Sequence, residues 1–207
     1  MEKPLPELPP NAFTKQDTGD DGAFYAPPRL VTHIDAGATA ALTAYYASVV
    51  PADGTILDMM SSWVSHLPDD LPTHEVIGHG MNAEELAANP RLDRWFVRNL
   101  NRMPSLPLDD ASCDAALCCV GVQYLQQPVT VFSDVRRVLR AGALVAVSFS
   151  NRCFPTKAVA VWNRLDITGH AALIRLYLER AGFSSVEALV LADGRQSDPL
   201  IVVSGRA

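Results

Sequence analysis

Three groups of residues in this chain have types and spacing suited to chemistry. The first lies in Ile56–Pro68, ILDMMSSWVSHLP, where a short apolar run delivers Asp58 to a loop containing Ser61 and Ser62. An acid at the end of a buried strand, followed by backbone N–H groups and hydroxyls, can grip a polar ligand in an α/β crevice. Such a loop is ordinarily glycine-rich so that backbone can approach the ligand, but here Met59, Met60, Ser61, Ser62 and Trp63 follow the acid. The second group is Ser150, Asn151 and Arg152; the guanidinium suits a bidentate carboxylate contact, or else a surface ion pair. The third is Gln123 and Tyr124 after another apolar run, with Tyr25 and His33 ahead of the first long helix, placed to close a pocket from above. Tyr124, Asn151, Arg152 and His33 are the candidate catalytic residues.

Other polar residues read as structural. His170 suits a helix cap, His66 suits orienting its own loop, and Trp63 suits a packing anchor better than a cation-binding wall. Cys113, Cys118, Cys119 and Cys153 lack metal-ligand spacing and sit mostly in apolar runs, as reduced thiols do, so no metal site is expected.

The elements that must hold these groups alternate along the chain. Residues 1–28 are rich in proline and form an arm rather than a core element, with a single domain expected over 29–207. Asp35 is placed to cap a helix over about 36–49. Strands are expected at TILDMM, HEVIGHG, DRWFVRNLN, CDAALCCVG and ALVAVSFS, with Asn82 capping a short helix after the second. PVTVFSDVRRVL carries one apolar helical face and is expected to close at RAG; TKAVAVWNRL and HAALIRLYLERAGF are two further predicted helices. SVEALVL and LIVVSGR are the last strands, joined by a loop too short for a helical crossover, so the final strand must run antiparallel. Continuous apolar strands alternating with helices predict an α/β fold of three layers around a seven-stranded, mostly parallel sheet.

That order, with several local motifs, resembles the class I S-adenosylmethionine-dependent methyltransferases of the type 11-like kind, here as a divergent subgroup. LPLDDASCDAALCCVGVQYL is similar to the family's LPF-x-D-x-SFD stretch and following strand. VFSDVRRVLRAGALVAVSFSN is similar to its helix ending RVLKPGG, and LYLERAGFSSVEAL to its late helix ending AGF. The resemblance runs from about residue 39 to the end and implies a Rossmann-like methyltransferase fold with S-adenosyl-L-methionine as cofactor. It puts Asp58, Met60, Ser61 and Ser62 at the methionine end of the cofactor. His79 and Gly80 then stand where an acid usually grips the ribose, and Met81 against the adenine face. Asn99, with Leu100 beside it, meets the adenine amino group, and Cys118 and Cys119 lie where strand-end backbone meets the methionine part. The acceptor should lie over the ends of the fourth and fifth strands, under the N-terminal segment.

Composition narrows the partners. A formal charge of −6 without a basic run excludes an electrostatic nucleic-acid footprint, and no apolar run reaches the ~20 residues needed to span a bilayer. A cytoplasmic enzyme moving a methyl group to a small molecule by in-line displacement is the expectation, with oligomeric state open. The alternative is a methyltransferase-fold protein that has lost its cofactor and serves a regulatory role. An oxidoreductase is disfavoured because no GxGxxG follows the first strand.

Overall fold

The computed structural model describes residues 5–207. Seven strands form one sheet: β1 (Gly54–Met59), β2 (Thr73–Gly80), β3 (Arg94–Val97), β4 (Cys113–Cys119), β5 (Leu139–Ser150), β6 (Ser184–Ala192) and β7 (Leu200–Arg206). Their order is β3-β2-β1-β4-β5-β7-β6. The first five pair in parallel, while β7 runs antiparallel between β5 and β6, as the short last loop requires.

Alternation along the strands sorts side chains into two cores. Ile56, Val76, Ala115, Leu117 and Ala146 face α2 (Ala36–Val49) through Ala38, Leu42 and Tyr46. Leu57, Met59, Ile77, Ala116, Cys118, Val145 and Val147 face the opposite layer. That layer is built from α4 (Pro128–Val138) and α5 (Ile167–Ala181), which supply Val129, Phe132, Val135, Ile174 and Leu178. The expected three layers are therefore present.

The caps explain the helix limits. Asp35 accepts from Ala38 N–H at the start of α2, and Asn82 from Glu84 and Glu85 N–H at the start of α3 (Ala83–Ala87). α5 begins at Asp166, not at His170, and ends on left-handed Gly182. His170 lies buried inside α5, its ring stacked 3.8 Å from Trp162 and its Nε2 2.8 Å from Trp162 O. α4 closes before RAG, because Leu139 is already extended and opens β5.

One expectation fails. TKAVAVWNRL is not an α-helix; it contains a bridge at Val159 and a single 3-10 turn at Trp162–Arg164. Its backbone donors are used by other segments: Ala160 N–H bonds Thr14 O, Val161 N–H bonds Ala12 O and Val159 N–H bonds Gln123 O. The described part of the arm is correspondingly draped over the body, most of its residues exposed. Ala12 is fully buried and Leu5, Leu8 and Phe13 pack on the α4/α5 core. The arm then crosses the carboxyl ends of the strands, carrying the short α1 (Asp21–Tyr25). Lys157, 1% exposed, fastens it: Nζ donates to Gly19 O at 2.9 Å and lies 3.2 and 3.4 Å from the Asp17 and Asp21 carboxylates.

Candidate active site

Parallel sheets bind ligands outside the carboxyl ends of their strands, where the order reverses, here between β1 and β4. A cavity of about 420 Å³ lies there, roofed by the arm. Of the expected cofactor residues, Met60, Ser61, Ser62, His79, Gly80, Met81, Asn99, Leu100 and Cys119 line it, as do all four catalytic candidates, Tyr124, Asn151, Arg152 and His33. Asp58 and Cys118 do not.

Asp58 shares the parity of Ile56 and so points to the α2 side. It accepts hydrogen bonds from Ser61 Oγ at 2.7 Å and from Ser65 Oγ, and borders a second cavity of about 30 Å³ with Tyr46, Ser65 and His66. Burial pushes its carboxyl up to about 6, against the pull of the two serine hydroxyls. The acid therefore holds the loop and does not face the main cavity. Cys118 points to the α4/α5 core and is fully buried. Burial raises both thiols, Cys119 to about 12, so Cys119 is a neutral wall group and Cys118 a neutral core group.

The loop keeps the course of a glycine loop without glycine. Met60 has φ 56°, the left-handed region in which a side chain costs roughly 1–2 kcal/mol. Its Cβ finds room because residue 121 is glycine: a Cβ on Gly121 would lie 2.7 Å from that of Met60. The missing glycine has in effect moved to the neighbouring loop. Val120, just before it, is also left-handed at φ 44°. Strain concentrated in two adjoining loops of one cavity marks a site held to shape by its surroundings.

His79 fixes this geometry and has no capacity left for a ribose. Its Nδ1 accepts from Met60 N–H at 3.1 Å, so Nε2 carries the proton and donates to Arg98 O at 2.9 Å. Burial lowers its pKa to about 4, which keeps the ring neutral. Ser61 N–H is bonded to His79 O at 2.7 Å. The expected ribose contact by His79 is thus corrected: both ring nitrogens serve backbone.

The cavity acid on that side is Glu85, two residues into α3, which sequence reasoning missed. Its Oε2 accepts from Ser62 Oγ at 2.6 Å and its Oε1 from Arg29 N–H at 2.7 Å. A carboxylate has about four acceptor positions, so two stay open. Asn99 Oδ1 accepts from Asn101 N–H at 2.9 Å, which turns the backbone at the adenine end. Lys15 and Asp21, ion-paired at 2.9 Å, form a further wall, also missed.

Across the cavity the wall is aromatic. Tyr25 and Tyr124 ring centroids are 6.5 Å apart, and Phe154 lies 6.1 Å from Tyr124, 5.4 Å from Phe24 and 6.2 Å from His33. Tyr124 Oη accepts from Phe154 N–H at 2.9 Å, and burial moves its hydroxyl up to about 12, so it stays protonated. Burial keeps His33 below the ordinary histidine value, partly offset by Glu85. Arg152 is mostly exposed, with Nε 3.6 Å from Asp198. Trp63 anchors the loop as expected, donating to Val31 O at 3.0 Å. His66 is buried behind the loop and held neutral, with a pKa near 4.

A family model described as a methyltransferase domain matches residues 74–147. The match runs from β2 to β5, so over that stretch the chain is similar to the methyltransferase domain family. An S-adenosylmethionine-dependent methyltransferase from Mesorhizobium loti superposes with a TM-score of 0.58 at 15% identity, over 81% of this chain and 98% of that one. Phosphoethanolamine N-methyltransferase 2 from Haemonchus contortus, solved with S-adenosyl-L-methionine, gives 0.57 at 12% identity, over 81% and 52%. The [4+2]-cyclase SpnF gives 0.59 at 14% identity, over 80% of this chain and 80% of its own. Likeness at such identities establishes the fold and leaves the reaction to the site. Comparison with curated proteins found no match. No helix among the described residues is long and apolar enough to cross a membrane.

The cavity wall thus combines apolar Met81 and Leu100, the Glu85 carboxylate with open acceptor positions, and the hydroxyls of Ser61 and Ser62.

Proposed function

We propose that this protein binds S-adenosylmethionine in the 420 Å³ cavity and methylates a small-molecule acceptor held between the arm and the ends of β4 and β5. The observation that carries this reading is left-handed Met60 between Asp58 and Ser61: the loop adopts a glycine's conformation at a cost, and does so at the cavity wall. The cofactor, when bound, supplies a methyl group on a sulfonium. In-line displacement asks the protein chiefly for positioning. Tyr25, Tyr124 and Phe154 present ring faces suited to a flat acceptor and to a nearby cation. Asn151 supplies an amide for orientation. The arm over the cavity excludes water.

His33 is the group suited to take a proton from an acceptor that must lose one. Its ring is neutral at pH 7, borders the cavity and has its edge against Phe154. Cys119 and Tyr124 hold their protons too tightly for that task.

Calorimetry with S-adenosylhomocysteine tests the reading: binding with one site per chain is expected, and absence of binding at millimolar ligand rejects it. Screening acceptor classes with labelled methyl donor then identifies the acceptor. For an acceptor that loses a proton, His33→Gln should lower kcat more than it raises KM and remove the acidic limb of the pH profile. The second reading, a regulatory protein without cofactor, is favoured by one observation: Met60 N–H, Ser61 N–H, His79 and Asp58 all bond within the protein. The same calorimetry decides between them.

A further inference from the structure

We propose that Arg29, on the arm, is the carboxylate anchor of the cavity and takes over from the loop after β1 the task of holding the methionyl carboxylate. The proposal rests on the cofactor reading above and concerns which group of this chain meets that anion.

The loop has no early backbone donors left to offer. Met60 N–H is committed to His79 Nδ1 and Ser61 N–H to His79 O, at 3.1 and 2.7 Å. A carboxylate arriving at this end therefore needs a side-chain cation. The basic groups of the cavity wall differ in what they already hold. Lys15 is paired with Asp21 at 2.9 Å, Arg98 Nη1 donates to Ser105 O, and Arg152 lies at the exposed rim beside Asp198.

Arg29 is different. Its guanidinium donates to two carbonyls, Phe24 O at 2.9 Å and Pro27 O at 3.4 Å, and no carboxylate among the described residues forms an ion pair with it. The guanidinium carbon lies 4.7 Å from the Phe24 ring centroid, 5.6 Å from that of Phe154 and 6.0 Å from that of Tyr25. Three rings partly shield the half-buried cation without neutralising it, and a partly shielded cation favours an anion. A guanidinium has five donors, so at least three stay free to meet one.

Its position selects the anion. Arg29 N–H donates to Glu85 Oε1, and Glu85 Oε2 accepts from Ser62 Oγ, at 2.7 and 2.6 Å. The Arg29 backbone is therefore one carboxylate away from the loop where, on that reading, the amino-acid end of the cofactor belongs, and its guanidinium extends from there to the aromatic wall of the same cavity. Glu85 repels a second carboxylate from its own position, which favours the guanidinium side.

The test compares two ligands that share the adenosine and differ in the amino-acid end. S-adenosylhomocysteine carries the carboxylate; 5′-methylthioadenosine lacks it. Titrating the full chain by calorimetry, Arg29→Met should weaken S-adenosylhomocysteine roughly 10- to 100-fold, the range for a hydrogen-bonded charge. It should leave 5′-methylthioadenosine within about twofold. Arg29→Lys, which keeps the charge and loses the fork, should fall between. Equal loss for both ligands overturns the proposal, because Arg29 would then only hold the arm in place. Unchanged S-adenosylhomocysteine affinity also overturns it. If, in addition, benzoate binds the wild-type S-adenosylhomocysteine complex more tightly than the variant complex, the anion belongs to the acceptor. Should the wild type bind neither adenosine ligand, the cofactor reading itself fails, a result distinct from each of these.

Discussion

The two walls of the cavity satisfy their polar groups in opposite ways. On the β1/β2 wall, Met60, Ser61 and His79, with Asp58 behind the loop, are bonded to one another or to backbone. On the wall made by the arm and the ends of β4 and β5, Arg29 has no carboxylate partner among the described residues and His33 stays neutral among aromatic rings. The first wall is finished as protein; the second is finished only by a ligand. Under the proposal made for Arg29, recognition that a glycine loop would perform with backbone passes to side chains of the arm, and the site then depends on that arm being docked.

Removing the arm's fastening should break the comparison with the largest effect. Lys157→Met leaves Asp21 half-buried beside Lys15 alone and frees the 13–28 segment. A loss of about 3 kcal/mol in urea unfolding is expected, with faster limited proteolysis within 13–28. The β1/β2 wall should stay intact; near-wild-type stability would mean that the arm is held elsewhere.

Asp58 tests the finished wall. Its folded pKa, about 6, lies above its ordinary value of 3.8, so the folded protein binds the proton more tightly than the unfolded chain. Its contribution to stability therefore falls as pH rises from about 4 to about 6 and stays low above that window. Asp58→Asn should gain on wild type across this window by on the order of 2 kcal/mol and run parallel above it, measured by urea unfolding at several pH values. A difference independent of pH would contradict the buried carboxylate.

The displaced glycine permits a double-mutant cycle. Gly121→Ala puts a Cβ against Met60 and should cost about 1–3 kcal/mol. Adding Met60→Gly removes both the collision and the left-handed side chain, and should recover most of that loss. Additive effects would mean that the two positions do not share the space. At the small end, Arg102→Ala breaks an exposed pair with Asp20 on the outer side of the arm, and a change below about 0.5 kcal/mol is expected.

Much of the fold was legible because burial writes directly into strand and helix patterns. Ile56–Leu57, Ala115–Cys118 and Val145–Val147 are continuous apolar runs, and α2 starts at the cap that Asp35 announces. The 157–161 segment misled because its alternation of Ala and Val suits a helix equally well; the arm settles it by taking the backbone donors. The outline of the site was also legible, since loops at strand ends converge in any such sheet. Its chemistry was less so. Glu85 stands in the first turn of a capped helix, where an acid would be expected for the helix dipole alone. Arg29 follows two prolines in a loop, with no local pattern to separate it from a solvated arginine. That His79 would spend both ring nitrogens on backbone depends on residues 60 and 98, which only the folded sheet brings together.

The hydrogen bonds from Ala160 and Val161 to Ala12 and Thr14 impose an order of events in time. The arm is made early but has nowhere to dock until residues 154–161 have followed β5 out of the ribosome. It must wait, apolar Phe13 included, while the parallel strands β1 to β5 are made, and the cavity acquires its roof only after them. Conditions that slow docking of residues 154–161 should therefore lengthen the life of an open-roofed intermediate whose five parallel strands are already in place.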